Sequence, residues 1–164
     1  MKEVVRELKK DWQVIIFTAS HPHYANTILD YIDPDKELFE KRVYRDSCFT
    51  TVDRVHIKDL RIFERDLKDI VIVDNASHSF GFQIPNGIPM LPFFDDKEDR
   101  EMIHLMYYLK RLVGQDDLRA MVQDTYQLHH VKNDGFCEAI EGVIEYTILE
   151  VNEEEIDLDQ NPEF

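Results

Sequence analysis

The sequence predicts an α/β fold, a Rossmann-like layered sandwich around a mainly parallel sheet. Three observations carry this. Short apolar β-prone runs recur at residues 13–18 and 70–73, the composition of strands buried on both faces. Segments with helical periodicity separate the strand candidates, as parallel crossovers require. The strand candidates end in polar residues, and the carboxyl end of a parallel sheet is where ligands gather.

Each element has its own justification. From Lys2 to Lys10, Val4, Val5 and Leu8 fall on one side at helical spacing, and residues 13–18 (QVIIFT) follow as a strand. Ser20 is expected to cap the next helix, with Pro22 in its first turn and Tyr24, Ile28 and Tyr31 facing inward. Asp33 and Pro34 end it. Short strands are expected at 42–44 and 55–57, then a polar helix-like stretch, then the strand 70–73. PNGIPM, residues 85–90, reads as a turn into a short strand. Ile103, Met106, Leu109, Leu112 and Val113 mark an amphipathic helix, and 116–128 reads as another.

At 164 residues and 43% hydrophobic content the chain can bury a core in one domain. The domain is expected to span 1–132, followed by an acidic extension over 133–164. There VIEYTILEV, residues 143–151, has strand composition and the rest is expected to be disordered. From Glu138 to Phe164 stand ten acidic and no basic residues, so this segment carries two thirds of the net charge of -15. Such a balance repels phosphate backbones, which argues against a nucleic acid partner. No apolar run reaches the roughly 20 residues that span a bilayer, so no membrane association is expected. Cys48 and Cys137 make neither a disulfide framework nor a metal-ligand spacing, which points to an intracellular protein of the nucleus or cytoplasm.

Three strand ends carry candidate chemistry: Thr18 with Ala19 and Ser20, Lys58 after VHI, and Asp74 with Asn75 after IVIV. A hydroxyl and exposed N–H groups at a helix start cradle phosphate, a lysine neutralises it, and an acid beside an amide offers hard oxygens to Mg²⁺. Singly each has a plainer reading. The threonine is a capping residue and Lys58–Asp59 a solvated pair. An aspartate ending a buried strand is more telling, because burial costs several kcal/mol unless it is paired. Together the three make a phosphoryl site. His21 and His23 read as cap or surface residues, and the acids of 95–99 as a solvated turn.

The runs VIIFTASHPHYANTILDYIDP, RVYRDSC, HIKDLRIFERDL, VIVDNASHSF, NGIPMLPFFDDKED and DDLRAMV, in this order over about three quarters of the chain, resemble the FCP/SCP-type (NLI-interacting-factor-like) phosphatase domain. This family belongs to the haloacid-dehalogenase-like superfamily. The DP after the first helix and the NGIP turn are most similar to its CTD small-phosphatase-like branch. The resemblance implies an Mg²⁺-dependent serine/threonine phosphatase acting on phosphoproteins such as the RNA polymerase II C-terminal domain. It implies that Thr18 hydrogen-bonds phosphoryl oxygens, Lys58 stabilises the phosphorylated intermediate, Arg45 contacts substrate phosphate, and Asn75 ligates Mg²⁺ with Asp74 beside it. The family's proline and serine after Asp-Asn are here Ala76 and Ser77, and a tryptophan of the later loop is Phe93 or Phe94.

The family's nucleophile is the first aspartate of a DxDxT motif, with the second as acid and base. Residues 1–164 contain no such motif. Asp11 lies before the 13–18 strand, roughly 20 Å from Thr18 at about 3.3 Å per residue, and Asp46, Asp59 and Asp66 match positions that are not the nucleophile. In the superfamily the motif's strand is central, between the Thr18 and Asp74 strands, so the expectation is a sheet without its first strand in an N-terminally truncated domain. The chain as it stands is expected not to turn over phosphoesters. The competing reading is a pseudophosphatase that binds phosphoproteins through Thr18, Lys58 and Arg45. A receiver domain combines similar groups, but with its phosphorylated Asp before the Thr and Lys, the reverse of the order here.

Overall fold

Val4, Val5 and Leu8 share one side of helix α1 (Lys2–Leu8), and all three are buried, which fixes how the helix lies on the rest of the chain. The structure is a computed structural model that describes residues 1–128. The expected boundary at 132 and the strand candidate 143–151 lie outside the described residues. Strand β1 (Ile15–Phe17) leads to helix α2 (Pro22–Ile32), and strand β2 (Lys41–Val43) returns to pair with β1 in parallel, Ile16 opposite Arg42. Strands β3 (Phe49–Thr50) and β4 (His56–Ile57) form an antiparallel hairpin. Strands β5 (Ile72–Asp74) and β6 (Gly87–Pro89) make a second parallel pair, Val73 opposite Ile88. Helices α3 (Glu101–Leu112) and α4 (Leu118–Tyr126) close the order. None of the described helices is long and apolar enough to cross a membrane.

The parallel strands therefore stand as two pairs, β1 with β2 and β5 with β6. Among the described residues β1 and β5 are not hydrogen-bonded to each other. Ile15, Ile16 and Phe17 are accordingly only half-buried despite their composition.

The core gathers around β5 and β6, where Phe80, Ile88, Leu112 and Val122 are almost wholly buried. Helix α3 packs on α1, and α4 packs under β6 and the turn before it. Gly87 permits the tightest approach. A Cβ there would stand 2.2 Å from the Phe80 ring, well inside van der Waals contact. Asn86, buried beside it, donates to the carbonyls of Leu67 at 2.5 Å and Ile70 at 2.7 Å and so ties the β6 turn to the start of β5.

Three expectations are corrected. Helix α2 begins with His21 as its cap and Pro22 in its first position. Ser20 is held in the preceding loop, donating its N–H to Thr18 Oγ1 and accepting from the Arg45 N–H. Tyr24, Ile28 and Tyr31 face outward, 63%, 42% and 87% exposed, while Ala25 and Leu29 are buried. The cause lies on the polar side of α2: Asn26 and Asp30 accept from Arg42 of β2, and Asn26 also accepts from Tyr44. Those bonds fix the helix rotation and turn the aromatic stripe away. The polar stretch after residue 58 forms two single turns, Leu60–Phe63 and Leu67–Asp69, instead of a helix. Asp59 and Asp66 each accept the N–H two residues on, and Glu64 sits at φ 53° between them. Short acidic side chains compete with the helical ladder in this way.

Candidate functional site

Thr18 leaves β1 with its N–H donated to the carbonyl of Val43 at 2.9 Å, so the β1–β2 pairing continues to the point where the chain turns. Its hydroxyl accepts from Ser20 N–H at 3.1 Å. Arg45 lies just past the end of β2. Its guanidinium donates through Nε to the Ala19 carbonyl at 2.5 Å, and its Nη1 stands 3.1 Å from Nε2 of His21. Thr18, Ala19, Ser20, His21 and Arg45 are thus one cluster at the carboxyl ends of β1 and β2.

Lys58 and Asp74 form a second. Lys58 follows β4, Asp74 ends β5, and the two pair directly, with side chains only 10% and 9% exposed. The plain reading of Lys58 as half of a solvated pair with Asp59 does not hold. Lys58 turns inward to Asp74, and Asp59 is held by Arg61 instead. Burial explains the pairing, since a lone charge at this depth would be strongly destabilising. The other Asp74 oxygen accepts from the Ala76 N–H at 2.8 Å. Asn75 is exposed, beside a cavity of about 1030 Å³ whose walls include Met1, Val4, Val73, Met90 and Met106.

Two observations join the clusters. The Lys58 ammonium lies 6.0 Å from the ring centroid of Phe17, the residue before Thr18. Cys48, between Arg45 and Lys58 in sequence, feels the charges of both as well as of Asp46 and Asp74; its burial outweighs the two cations and raises the thiol pKa. The structure therefore brings Thr18, Arg45, Lys58, Asp74 and Asn75 to one end of the strands. His21, read from the sequence as a cap or surface residue, and Cys48, read there only as an unpaired cysteine, are the members that sequence reasoning did not assign to the site. The signal for His21 was its place at the start of α2 beside Thr18; for Cys48, its place between two cations.

The donors for a divalent cation are few. Asp74 already spends one oxygen on Lys58 and the other on Ala76 N–H, which leaves the Asn75 amide as the unshared oxygen. Mg²⁺ requires six oxygen ligands in near-octahedral array. No cluster of three or more His, Cys, Asp or Glu suited to a metal occurs among the described residues. The residues present do not by themselves fit an Mg²⁺ site.

The profile of the family described as "NLI interacting factor-like phosphatase" matches residues 1–119. This chain belongs to that family. It is 42% identical over 130 residues to the Dictyostelium discoideum "CTD small phosphatase-like protein 2", covering 79% of this chain and 23% of that one. With the Caenorhabditis elegans "CTD small phosphatase-like protein 3" it shares 33% over 154 residues, 92% of this chain and 53% of the other. The chain thus spans about a quarter and about half of these relatives. A solved structure described as "The Structure of Fcp1, an essential RNA polymerase II CTD phosphatase" superposes with a TM-score of 0.54 at 16% identity, over 82% of this chain and 50% of that one. That likeness gives the fold, an α/β Rossmann-like type.

Proposed function

We propose that this chain forms the phosphate-holding side of a serine/threonine phosphoprotein phosphatase site of the RNA polymerase II C-terminal-domain type. The observation that carries the reading is the convergence of Thr18, Arg45 and Lys58 at one end of the strands, beside the Asp74–Asn75 pair. Family membership and the names of the relatives support it.

In this reading the phosphate of a phosphoserine or phosphothreonine protein sits between the two clusters. The Thr18 hydroxyl and the N–H groups at the start of α2 hydrogen-bond its oxygens, and the Arg45 guanidinium, braced by Ala19 and His21, takes an anionic edge. Lys58 holds opposing charge close by, anchored by Asp74. Phosphoryl transfer asks the protein mainly for positioning and charge neutralisation, and these residues supply both. Mg²⁺, expected from the family, needs oxygen ligands beyond Asp74 and Asn75. Phosphoproteins of the nucleus or cytoplasm are the proposed partners.

Hydrolysis further requires a carboxylate nucleophile, and residues 1–164 hold no DxDxT motif. The second reading, a phosphoprotein-binding pseudophosphatase, is favoured by that fact for the chain as it stands. One experiment addresses both. The purified 1–164 chain with Mg²⁺ is offered p-nitrophenyl phosphate and, by calorimetry, matched phosphoserine and serine peptides. The reading expects no turnover and at least tenfold tighter binding of the phosphoserine peptide, lost in Arg45→Ala. Equal binding of the two peptides would remove the phosphate site, and turnover would show a nucleophile within these residues.

A further inference from the structure

The cations around the phosphate site belong to a segment whose charge runs against that of the rest of the chain. Residues 41–65 hold seven basic and four acidic side chains in a chain of net charge -15. Three of those cations are matched: Arg42 pairs with Asp30, Lys58 with Asp74 and Arg61 with Asp59. Lys41, Arg45, Arg54 and Arg65 make no ion pair among the described residues. Lys41, Arg54 and Arg65 are exposed. Arg45 is held by the Ala19 carbonyl at 2.5 Å and by His21 Nε2 at 3.1 Å, and neither partner carries a negative charge. Its guanidinium is therefore positioned without being neutralised, which lowers the entropic cost of taking up an anion. The hairpin β3–β4, with Arg54 between its strands, is strung between Arg45 and Lys58, so the unmatched charge of Arg54 continues that of the site.

A matching anion is present in the same chain. Residues 153–159, EEEIDLD, hold five acids and no base. Residues 95–101 also hold five acids, but Lys97 and Arg100 stand among them. The 153–159 stretch lies outside the described residues, and 24 residues separate it from Leu128, which is buried in the core. Those 24 residues can span up to roughly 80 Å when extended, and a domain of this size has a radius of gyration of only about 14 Å. Reach is not limiting. Charge and reach favour this occupant over the same stretch of a second copy, because two chains of net charge -15 repel each other. The chemistry matches as well: a carboxylate accepts the paired N–H donors of a guanidinium, as a phosphate does, but with less charge and fewer oxygens.

We infer that the acidic stretch 153–159 occupies the Thr18, Arg45 and Lys58 site of its own chain, standing in for phosphate and competing with phosphoproteins. This inference rests on the function proposed above and adds a regulation of the same site. A weak contact suffices, because joining the two in one chain gives the stretch an effective concentration on the order of 1 mM. If the free stretch binds with a Kd of about 0.1 mM, the joined one holds the site about nine-tenths of the time. The apparent affinity for a phosphopeptide then falls about tenfold. A phosphate dianion displaces the carboxylates where its own contacts are strong, so the site answers only to phosphoproteins that bind tightly or are abundant.

The test compares three full 1–164 chains by fluorescence anisotropy with labelled phosphoserine and serine peptides: wild type, E153Q/E154Q/E155Q/D157N/D159N, and D11N/D35N/D95N/D96N/D116N. The third chain loses the same number of charges at five exposed acids elsewhere. The expected result is about tenfold tighter phosphoserine binding by the second chain than by wild type, with the third within about twofold of wild type. A free peptide of residues 150–161, EVNEEEIDLDQN, binds the second chain with a Kd of about 0.1 mM, and Arg45→Ala in that chain removes this binding. Equal phosphoserine affinity in wild type and the second chain overturns the inference and leaves the phosphate site standing. An equal gain in the third chain reduces the effect to net charge and overturns it too, as does binding of the free peptide that survives Arg45→Ala. Competition that grows with protein concentration assigns the stretch to a second copy and overturns the intramolecular contact. Equal binding of phosphoserine and serine peptides by all three chains overturns the phosphate site and this inference with it.

Discussion

Replacing Lys58 by Met isolates the energetic role of the buried pair that links β4 to β5. The substitution keeps the aliphatic stem but removes the ammonium, leaving the Asp74 carboxylate 9% exposed with the Ala76 N–H as its remaining donor. Breaking one side of a buried ion pair costs about 3–5 kcal/mol, because the surviving charge stays desolvated. Asp74→Asn strands Lys58 in the same way, while its amide oxygen still accepts from Ala76. The double variant K58M/D74N carries no buried charge, so its loss should fall below that of either single variant, to within about 1–2 kcal/mol of wild type instead of the sum of about 6, a coupling of about 4–5 kcal/mol. For a chain of this size, about 3 kcal/mol corresponds to a Tm lower by about 10 °C. Urea denaturation followed by far-UV circular dichroism measures all four species. As a control, Glu3→Gln breaks the pair with Arg6, whose side chains are 57% and 60% exposed, and should change stability by less than about 0.5 kcal/mol. If Lys58→Met behaves like that control, or if the double variant loses the sum of the singles, the pair is not buried and coupled as described.

Further outcomes follow from other contacts. Gly87→Ala puts a methyl into the Phe80 ring and should cost about 2–3 kcal/mol in urea, whereas Gly114→Ala meets nothing within 4 Å and is limited to the strain of φ 82°. Asp33 is buried, which raises its pKa, but the N–H groups of Leu38, Glu37 and Phe39 outweigh that and hold it below the ordinary value; Asp33→Ala should lose about 1–3 kcal/mol at neutral pH. The Arg61 bond holds the pKa of Asp59 down to about 2, against 3.8 ordinarily. A depressed carboxylate pKa contributes stability that is present above the unfolded value and is lost as pH falls through the folded one. Wild type should therefore lose stability relative to Asp59→Asn between about pH 4 and pH 2, as read by thermal melts across that range. Asp117 caps α4 by accepting the Arg119 N–H at 3.0 Å, so Asp117→Ala should lower the melting temperature, whereas Asp117→Ser, which keeps a capping oxygen, should restore most of it.

Where apolar periodicity and burial agree, the sequence was a good guide. The stripe of α1 read correctly because Val4, Val5 and Leu8 are buried, and the run leading to Asp74 because its β-prone residues pair with β6, with Ile72 buried. Helix α2 misled because its sheet-facing side carries Asn26 and Asp30, whose partners on β2 are distant in sequence. Strand β3 went unseen because two residues, Phe49 and Thr50, carry no period. The turns at 60–63 and 67–69 read as a helix because the polar pattern does not reveal that Asp59 and Asp66 take local backbone bonds. In the site, the strand ends Thr18, Lys58 and Asp74 were legible as positions. The inward turn of Lys58 and the bracing of Arg45 by Ala19 and His21 depend on tertiary distances that spacing does not encode.

The most direct test of the phosphate site is calorimetric titration of the 1–164 chain with a phosphoserine peptide and its unphosphorylated twin, repeated with Thr18→Val and Arg45→Ala. The expected result is binding at least tenfold tighter for the phosphoserine peptide, with that margin removed in both variants while their melting temperatures stay near wild type. Equal affinity for the two peptides, or a phosphate preference untouched by both substitutions, would contradict a phosphate site at the carboxyl ends of these strands.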